Sequence, residues 1–221
     1  IVNFSYFMHD VVDRLIFIQK EIQTKKSLAE IVVVSKTFSM NKILPLINHG
    51  HRHFGENKVQ EAIEKWTTIK NDLKDIKLHL VGKLQTNKVK YAVTLFDYIH
   101  SLDNRKLAEK IANEQYKKKI KPKIFIQINI GNETQKNGIE IDNLENFYTM
   151  CTNELNLDII GLMCLPPNDQ TPSVYFAKMQ DLINKIQVKD LSMGMSNDYL
   201  EAIKFKSTFL RIGSKIFGSR I

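Results

Sequence analysis

The chain has 221 residues, of which 43% are hydrophobic and 25% are charged, and its formal net charge is +8. This length and composition are typical of one globular domain with a substantial core, and no apolar run approaches the roughly 20 residues of a membrane span. The two cysteines, Cys151 and Cys164, exclude a disulfide framework and favour a reducing, cytoplasmic location.

The positive charge does not by itself indicate a nucleic-acid partner. Most of it comes from lysines spread over predicted helix faces, as in residues 117–119. Arginine clusters and aromatic residues interleaved with basic ones, which single-stranded nucleic acids need for stacking, are lacking. The sequence therefore predicts a solvated basic surface and no nucleic-acid site.

The first part of the chain predicts a helix followed by a deeply buried strand. Residues 3 to about 25 carry apolar side chains at helical spacing, which indicates an amphipathic N-terminal helix. Residues 31–36, IVVVSK, begin with four β-branched residues and are typical of a strand buried on both faces. A short helix at 41–48, a brief strand at 52–54 and a helix ending near Trp66 follow.

The same alternation continues to the end of the chain. Asp103 is the predicted N-cap of one helix, and Asp142 with Glu145 makes a capping-box pattern for another. The remaining strands are predicted at 77–81, 98–101, 123–130, 158–163, 191–193 and 209–212, and further helices at 86–95, 103–119, 171–187 and 197–204. Eight alternating strands predict an α/β fold: a (β/α)8 TIM barrel over residues 1–221, with an extra N-terminal helix. A doubly wound open sheet is the alternative.

Lys36 directly follows the all-apolar first strand. In a barrel, chemistry collects at the carboxyl ends of the strands. Desolvation lowers the pKa of a lysine amine, and the neutral amine can attack a carbonyl to form a Schiff base. The alternative is that Lys36 only marks the point where the strand reaches water.

Small residues follow the last two predicted strands. Ser196, Gly213 and Ser214 open onto helix N-termini, where barrels bind phosphate. An imine-forming lysine opposite a phosphate site is the layout that pyridoxal 5'-phosphate (PLP) requires. Arg211 would point into the barrel near the pyridine ring and, because arginine keeps its proton, would leave the ring nitrogen unprotonated.

Other reactive side chains have simpler explanations. His79 lies within a predicted strand and is expected to be a hydrogen-bonded histidine of the barrel interior. Cys164 is expected to be a core thiol. His49, His51 and His53 have no carboxylate or cysteine at metal-ligand spacing, so no metal site is predicted.

Several segments carry a family resemblance, in collinear order from near residue 30 to the C-terminus. They are VVVSKT (32–37), FGENKVQE (54–61), HLVGKLQTNK (79–88), SLD (101–103), QINIGNETQKNG (127–138), GLMCLPP (161–167), LSMGMSNDYLEAI (191–203) and RIGSKIFGSR (211–220). Together they resemble the pyridoxal phosphate homeostasis proteins, a family similar to the barrel domain of alanine racemase standing alone.

The resemblance implies a type III PLP fold in which Lys36 forms the covalent aldimine. It implies that Ser196, Gly213 and Ser214 bind the phosphate and that Arg211 faces the pyridine nitrogen. Asn57, His79 and Met163 are implied to line the surroundings of the ring. Two positions depart from the family: Ser214 stands where threonine is common, and Lys58 where an aromatic residue often follows the asparagine.

The resemblance favours a PLP-binding protein of vitamin B6 homeostasis and amino-acid balance, with little or no turnover. It is expected to be a monomer, with PLP-dependent apoenzymes as candidate recipients of the cofactor. The alternative is an alanine-type racemase, which needs a second acid/base residue opposite the lysine. In related racemases a second domain and a partner subunit supply that residue, and this chain, which stops soon after Arg211, is not expected to contain such a domain. A third reading, an aldolase-type barrel acting through Lys36 on a sugar phosphate, has Glu56 as its candidate general acid.

Overall fold

The computed structural model describes residues 10–133, 137–167 and 171–218. Its sheet is a closed barrel of eight parallel strands, in which each strand pairs with the next along the chain and the last pairs with the first. The predicted (β/α)8 barrel is therefore confirmed. The strands are β1 (Glu30–Val34), β2 (His53–Glu56), β3 (Lys77–Leu80), β4 (Tyr98–Leu102), β5 (Lys123–Ile128), β6 (Asp158–Cys164), β7 (Asp190–Met195) and β8 (Phe209–Ile212).

Helices follow the strands and cover the barrel. They are α1 (Asp10–Thr24), α2 (Met40–Asn48), α3 (Val59–Asp72), α4 (Val89–Leu95), α5 (Arg105–Lys118), α6 (Leu144–Thr149), α7 (Pro172–Ile186), α8 (Tyr199–Ala202) and α9 (Ser214–Phe217). After α6, the chain continues into a π-helical turn at Met150–Glu154. No helix in the described part of the chain is long and apolar enough to cross a membrane.

The predicted N-terminal helix is present as α1. It buries Val12, Leu15, Ile18 and Ile22, whose spacing of three or four residues places them on one face. This face packs against α2 and α9. The part of the prediction at residues 3–9 lies outside the described residues.

Successive residues of each strand face opposite sides of the barrel wall, as the alternation of a β-strand requires. The outward side chains join one large core beneath the helices. A second, smaller cluster of buried apolar side chains packs within the barrel: Val32, Tyr98, Phe125, Met163 and Phe209. Because side chains fill the barrel, a ligand site has to lie at one of its ends.

Several local predictions were wrong, and besides the three described next, β2 and β7 each end two residues later than predicted. The N-cap of α5 is Asn104, whose Oδ1 accepts the N–H of Leu107 at 2.9 Å, and not Asp103. A 3-10 turn replaces the predicted capping box before α6, and the N-cap there makes no side-chain hydrogen bond. Strand β5 ends at Ile128, two residues early, because the next amide donates to the carbonyl oxygen of Ile139 in the following loop.

Candidate functional site

A cavity of about 490 Å³ opens at the carboxyl ends of the strands. Its volume is within the usual range for small-molecule sites. Six of the predicted site residues line it together: Lys36, Asn57, Ser196, Arg211, Gly213 and Ser214. The strand ends that place them are those of β1, β2, β7 and β8, which are far apart in sequence and adjacent only because the barrel closes.

Lys36 is half-buried and lies two residues beyond the last residue of β1. The alternation along the strand puts it on the same side as Val32, which packs inside the barrel. The next residue, Thr37, has φ of 69°. A β-branched residue rarely adopts this left-handed conformation, so the turn after Lys36 has to be held by its surroundings.

Helix α3 provides that support. The N–H of Thr37 donates to Glu61 Oε1 at 2.5 Å. Lys65 Nζ donates to the carbonyl oxygen of Ser35 at 2.9 Å and to Glu61 Oε1 at 2.9 Å. Burial alone would raise the pKa of Glu61, but the hydrogen bonds from Lys65 and from the Thr37 N–H outweigh it, and the pKa lies below its ordinary value. The backbone on both sides of Lys36 is thus tied to one helix.

The carboxylate of Glu56 also holds the end of β1 in place, from the side of the barrel wall that faces the helices. It is fully buried, and its Oε1 accepts from Ser35 Oγ at 2.7 Å and from Trp66 Nε1 at 3.0 Å. Lys65 Nζ lies 2.8 Å from the same oxygen. Glu56 therefore fixes the end of β1 from the helix side, and it does not line the cavity. This position does not suit it to act as a general acid on a ligand held there.

The opposite wall of the cavity is built from the ends of β7 and β8. Ser196 Oγ accepts the N–H of Lys215 at 3.2 Å, which joins the two strand ends. A Cβ at Gly213 would lie 3.1 Å from the carbonyl oxygen of Val34, so the glycine permits the close approach of β8 to β1. Ser214 begins α9, in which the amides of Ile216 and Phe217 donate to the carbonyl oxygen of Gly213. The hydroxyls of Ser196 and Ser214 and the first amide of α9 therefore meet at this wall.

Helix α1 is bonded to this wall from outside the barrel. Arg14 Nη1 donates to the carbonyl oxygen of Ile216 at 3.2 Å. Lys215 Nζ donates to Tyr199 Oη at 2.8 Å and lies 3.4 Å from a carboxylate oxygen of Glu21. The extra helix before the barrel is therefore bonded to the short helix at which the cavity ends.

Arg211 lies at the floor of the cavity and is 5% exposed. Its Nη1 donates to the carbonyl oxygen of Ser192 at 2.5 Å and to Ser192 Oγ at 2.6 Å, and its Nη2 donates to the carbonyl oxygen of Cys164 at 2.8 Å. Burial lowers the pKa of Arg211, yet a guanidinium stays protonated in proteins. These three bonds use fewer than its five donors, so the floor presents a fixed cation that can still donate.

His79 and Met163 do not line the cavity. His79 is fully buried in the barrel, stacks on Tyr98 with ring centroids 4.2 Å apart, and is hydrogen-bonded, as expected of an interior histidine. Met163 belongs to the interior apolar cluster. Both lie beneath the site, and their contact with a cofactor stays a prediction. Cys164 is a buried core thiol as expected, and burial raises its pKa to about 12.

Sequence reasoning missed several contributors. Phe38, Leu165 and Asp198 also line the cavity. Asp198 directly follows the Ser196–Asn197 pair, and its Oδ1 accepts the N–H of Met195 at 2.6 Å, so it shapes the loop. Glu61 and Lys65 were missed because an i, i+4 ion pair resembles an ordinary surface pair of a helix. Their position on α3, the helix that directly follows β2, could have indicated that they lie near the strand ends.

The donor set fits a phosphorylated aldehyde cofactor. A lysine amine on one wall can bond to a carbonyl carbon, and hydroxyl and amide donors on the other wall suit a phosphate. The guanidinium between them can donate to an aromatic nitrogen. These are the three functions expected of a PLP site.

Comparison with known proteins agrees with this chemistry. The family model described as alanine racemase, N-terminal domain, matches residues 18–221. A pyridoxal phosphate homeostasis protein of Aquifex aeolicus is 37% identical over 201 residues, which are 87% of this chain and 87% of that protein. PipY of Synechococcus elongatus, solved with PLP bound, matches with a TM-score of 0.85 at 31% identity and covers 94% of this chain and 100% of its own.

The likeness to complete racemases is more distant. Alanine racemase of Clostridium difficile has a TM-score of 0.73 at 14% identity, and the match covers 95% of this chain but 57% of the racemase. This relation shows a shared fold alone. The family resemblance predicted from the sequence is confirmed by the closer matches, and the chain belongs to the alanine racemase N-terminal domain family, among the pyridoxal phosphate homeostasis proteins.

Proposed function

We propose that this protein binds pyridoxal 5'-phosphate in the cavity at the carboxyl ends of its strands and acts in intracellular PLP homeostasis and amino-acid balance. The observation that carries the proposal is the convergence of Lys36, Arg211 and Ser214 on one cavity. The names of the curated relatives and the PLP bound to PipY support it.

Each wall has a separate role in the proposed complex. Lys36 holds the cofactor covalently through its amine, and Ser196, Gly213 and Ser214 bind the phosphate. Arg211 donates to the pyridine nitrogen. When bound, PLP supplies an electron sink, and Arg211 limits it because a guanidinium does not give its proton to the ring. Asn57 lines the rim, whereas His79 and Met163 act from beneath the floor.

We further propose that the protein holds the cofactor with little or no turnover. Two-base racemisation requires a second acid/base group across from the lysine. Among the described residues that line the cavity, the ionisable side chains are Lys36, Asp198 and Arg211. Asp198 is engaged by a backbone N–H, and Arg211 does not exchange its proton. An amino-acid racemase is the alternative function.

The setting of this function is also a proposal. The protein works as a monomer in the cytoplasm and passes PLP to apoenzymes that depend on it. Two buried free thiols suit a reducing compartment. The large apolar side chains exposed in the described residues are distributed over α1, α4, α5, α7, the end of β7 and several loops, a pattern that does not require a partner.

Titration with PLP tests the proposed function. We expect a new visible absorption band that persists through dialysis in the wild-type protein and is lost in Lys36→Ala. The matched control is Lys83→Ala, since Lys83 also lies at this end of the barrel but bonds to Asn137 Oδ1. Absence of a band in the wild-type protein would refute PLP binding. Release of D-alanine from L-alanine by the loaded protein would refute the holding role in favour of the racemase.

A further inference from the structure

A continuous chain of hydrogen-bonded side chains crosses the barrel interior and ends at Arg211. Arg211 Nη1 lies 2.6 Å from Ser192 Oγ, and this oxygen lies 2.7 Å from His100 Nδ1. His100 Nε2 lies 2.9 Å from His79 Nδ1, and His79 Nε2 lies 3.0 Å from His53 Nδ1. The chain thus joins the cavity floor to the N-terminal end of β2.

The inner members of this chain are sealed from water. Ser192, His79 and His100 are each 0% exposed. Aromatic rings enclose them: Phe125 stacks on His100 at 4.4 Å between centroids, and Tyr98 stacks on His79. Burial lowers the pKa of both histidines well below the ordinary value, and the nearby Arg211 cation lowers that of His100 further. Both rings are therefore neutral, with one donor and one acceptor nitrogen each.

Neutral rings allow only two arrangements of protons along such a chain. In the first, every bond runs away from Arg211: Ser192 donates to His100 Nδ1, His100 Nε2 donates to His79, and His79 Nε2 donates to His53. In the second, every histidine donates toward Ser192 through Nδ1. Ser192 Oγ would then accept from both Arg211 and His100, and its own hydroxyl proton would have no acceptor among the described residues, although Ser192 is fully buried.

The charge of Arg211 also favours the first arrangement. In the first arrangement the unprotonated Nδ1 of His100, the negative end of the ring dipole, faces the Arg211 cation. In the second, a protonated Nδ1 faces it. In a low-dielectric interior such charge–dipole contacts are strong, and hydrogen bonds aligned in one direction polarise one another. Both the count of hydroxyl bonds and the charge of Arg211 therefore favour bonds that run from Arg211 to His53.

We propose that Ser192, His100, His79 and His53 form a positioning unit for Arg211, with all hydrogen bonds directed away from the guanidinium. The unit fixes to Ser192 two of the guanidinium donors of Arg211, a residue that also lines the cavity. Its relevance to the cofactor ring rests on the proposed function, but the direction of the bonds does not. His79 is then a positioning residue that acts through His100 and Ser192.

The direction can be measured in the protein without PLP. Nitrogen-15 NMR of histidine side chains distinguishes the Nδ1–H tautomer, the Nε2–H tautomer and the charged ring. We expect His100, His79 and His53 all to be Nε2–H tautomers at neutral pH. An Nδ1–H tautomer or a charged ring at His100 or His79 would overturn the proposal.

Removal of the Ser192 hydroxyl provides the second test. Ser192→Ala should abolish the single tautomer of His100 and shift the resonances of His79, whereas Ser192→Thr, which keeps a hydroxyl, should retain them. The matched control is Ser207→Ala: Ser207 is also buried, but its Oγ bonds to carbonyl oxygens of Leu191 and Met193 and not to the histidines. Equal effects of the two alanine variants on the histidine resonances would contradict a specific unit.

The PLP-loaded protein separates this inference from the proposed function. Ser192→Ala should shift the visible band of the bound cofactor, because the Arg211 donors move, and Ser207→Ala should not. An unshifted band in Ser192→Ala would refute the link to the ring. If the wild-type protein does not bind PLP but its histidines have the expected tautomers, the proposed function is wrong and the positioning unit stands.

Discussion

Lys65 Nζ lies 2.9 Å from the carbonyl oxygen of Ser35, so a lysine of helix α3 is bonded to the backbone immediately before Lys36. The same amine lies 2.8 Å from a carboxylate oxygen of the fully buried Glu56. The position of Lys36 thus depends on a helix side chain that does not line the cavity. This relationship leads to the first prediction.

Lys65→Met should destabilise the fold by about 3 kcal/mol, because removal of one partner leaves the buried Glu56 charge uncompensated. Urea unfolding measures the loss. The double variant Lys65→Met, Glu56→Gln should recover part of it, since a neutral amide can still accept from Ser35 and Trp66. Lys74→Met, at an exposed lysine, is the control. A loss no larger than that of the control would contradict the role given to Lys65.

Gly194 leads to the second prediction. It has φ of +90°, and a Cβ there would lie 2.6 Å from the Cβ of Ala202 and 3.0 Å from a methyl carbon of Leu210. Gly194→Ala therefore combines a left-handed backbone with overpacking and should cost roughly 3 kcal/mol of unfolding free energy.

Gly50→Ala separates the two contributions. Gly50 has φ of +100°, but a Cβ there would meet no atom within 4 Å. This variant should cost only about 1 kcal/mol, the backbone contribution alone. Equal losses in the two variants, measured by the same denaturant titration, would show that contact with Ala202 contributes nothing.

His51 leads to a prediction about pH. Burial lowers the pKa of His51 to about 4, from an ordinary value of 6.5. Between these two values the unfolded chain binds more protons than the folded one, so stability falls as the pH falls from 6.5 to about 4 and this contribution is constant below that. The shift corresponds to about 3 kcal/mol for this residue.

Denaturant unfolding as a function of pH measures this linkage. His51→Gln keeps a donor for the carbonyl oxygen of His53. Between pH 4 and 6.5 it should lower the slope of the unfolding free energy against pH by the amount that corresponds to about one bound proton. His49→Gln, at an exposed histidine that follows α2, should leave the curve unchanged. An unchanged slope in His51→Gln would contradict a neutral, buried His51.

Most of the barrel and half of the site could be predicted from the sequence. Runs such as Ile31–Val34 are apolar on both faces because helices cover one side and the barrel interior the other, and this leaves a clear signal. Lys36, Ser196 and Ser214 could be found because strand ends are recognisable and barrels place chemistry there. The predicted end of β5 was wrong because the backbone there bonds to a loop residue, Ile139, and not to a neighbouring strand.

The supporting contacts could not be predicted because they depend on closure of the barrel. His100 and Ser192 are 92 residues apart, and their hydrogen bond forms only when β4 and β7 face each other across the interior. No local pattern distinguishes His53 from its exposed neighbour His49. The direction of the hydrogen bonds also requires Arg211, which lies on yet another strand, β8.

The covalent role of Lys36 is the central claim, and borohydride reduction followed by peptide mapping tests it most directly. The protein is loaded with PLP, reduced, digested and analysed by mass spectrometry, with Lys36→Ala treated in parallel. We predict that the wild-type protein carries one reduced adduct, at Lys36, and that the variant carries none although it remains folded. A reduced adduct at another lysine in the wild-type protein, or the same yield of adduct in Lys36→Ala, would contradict the account.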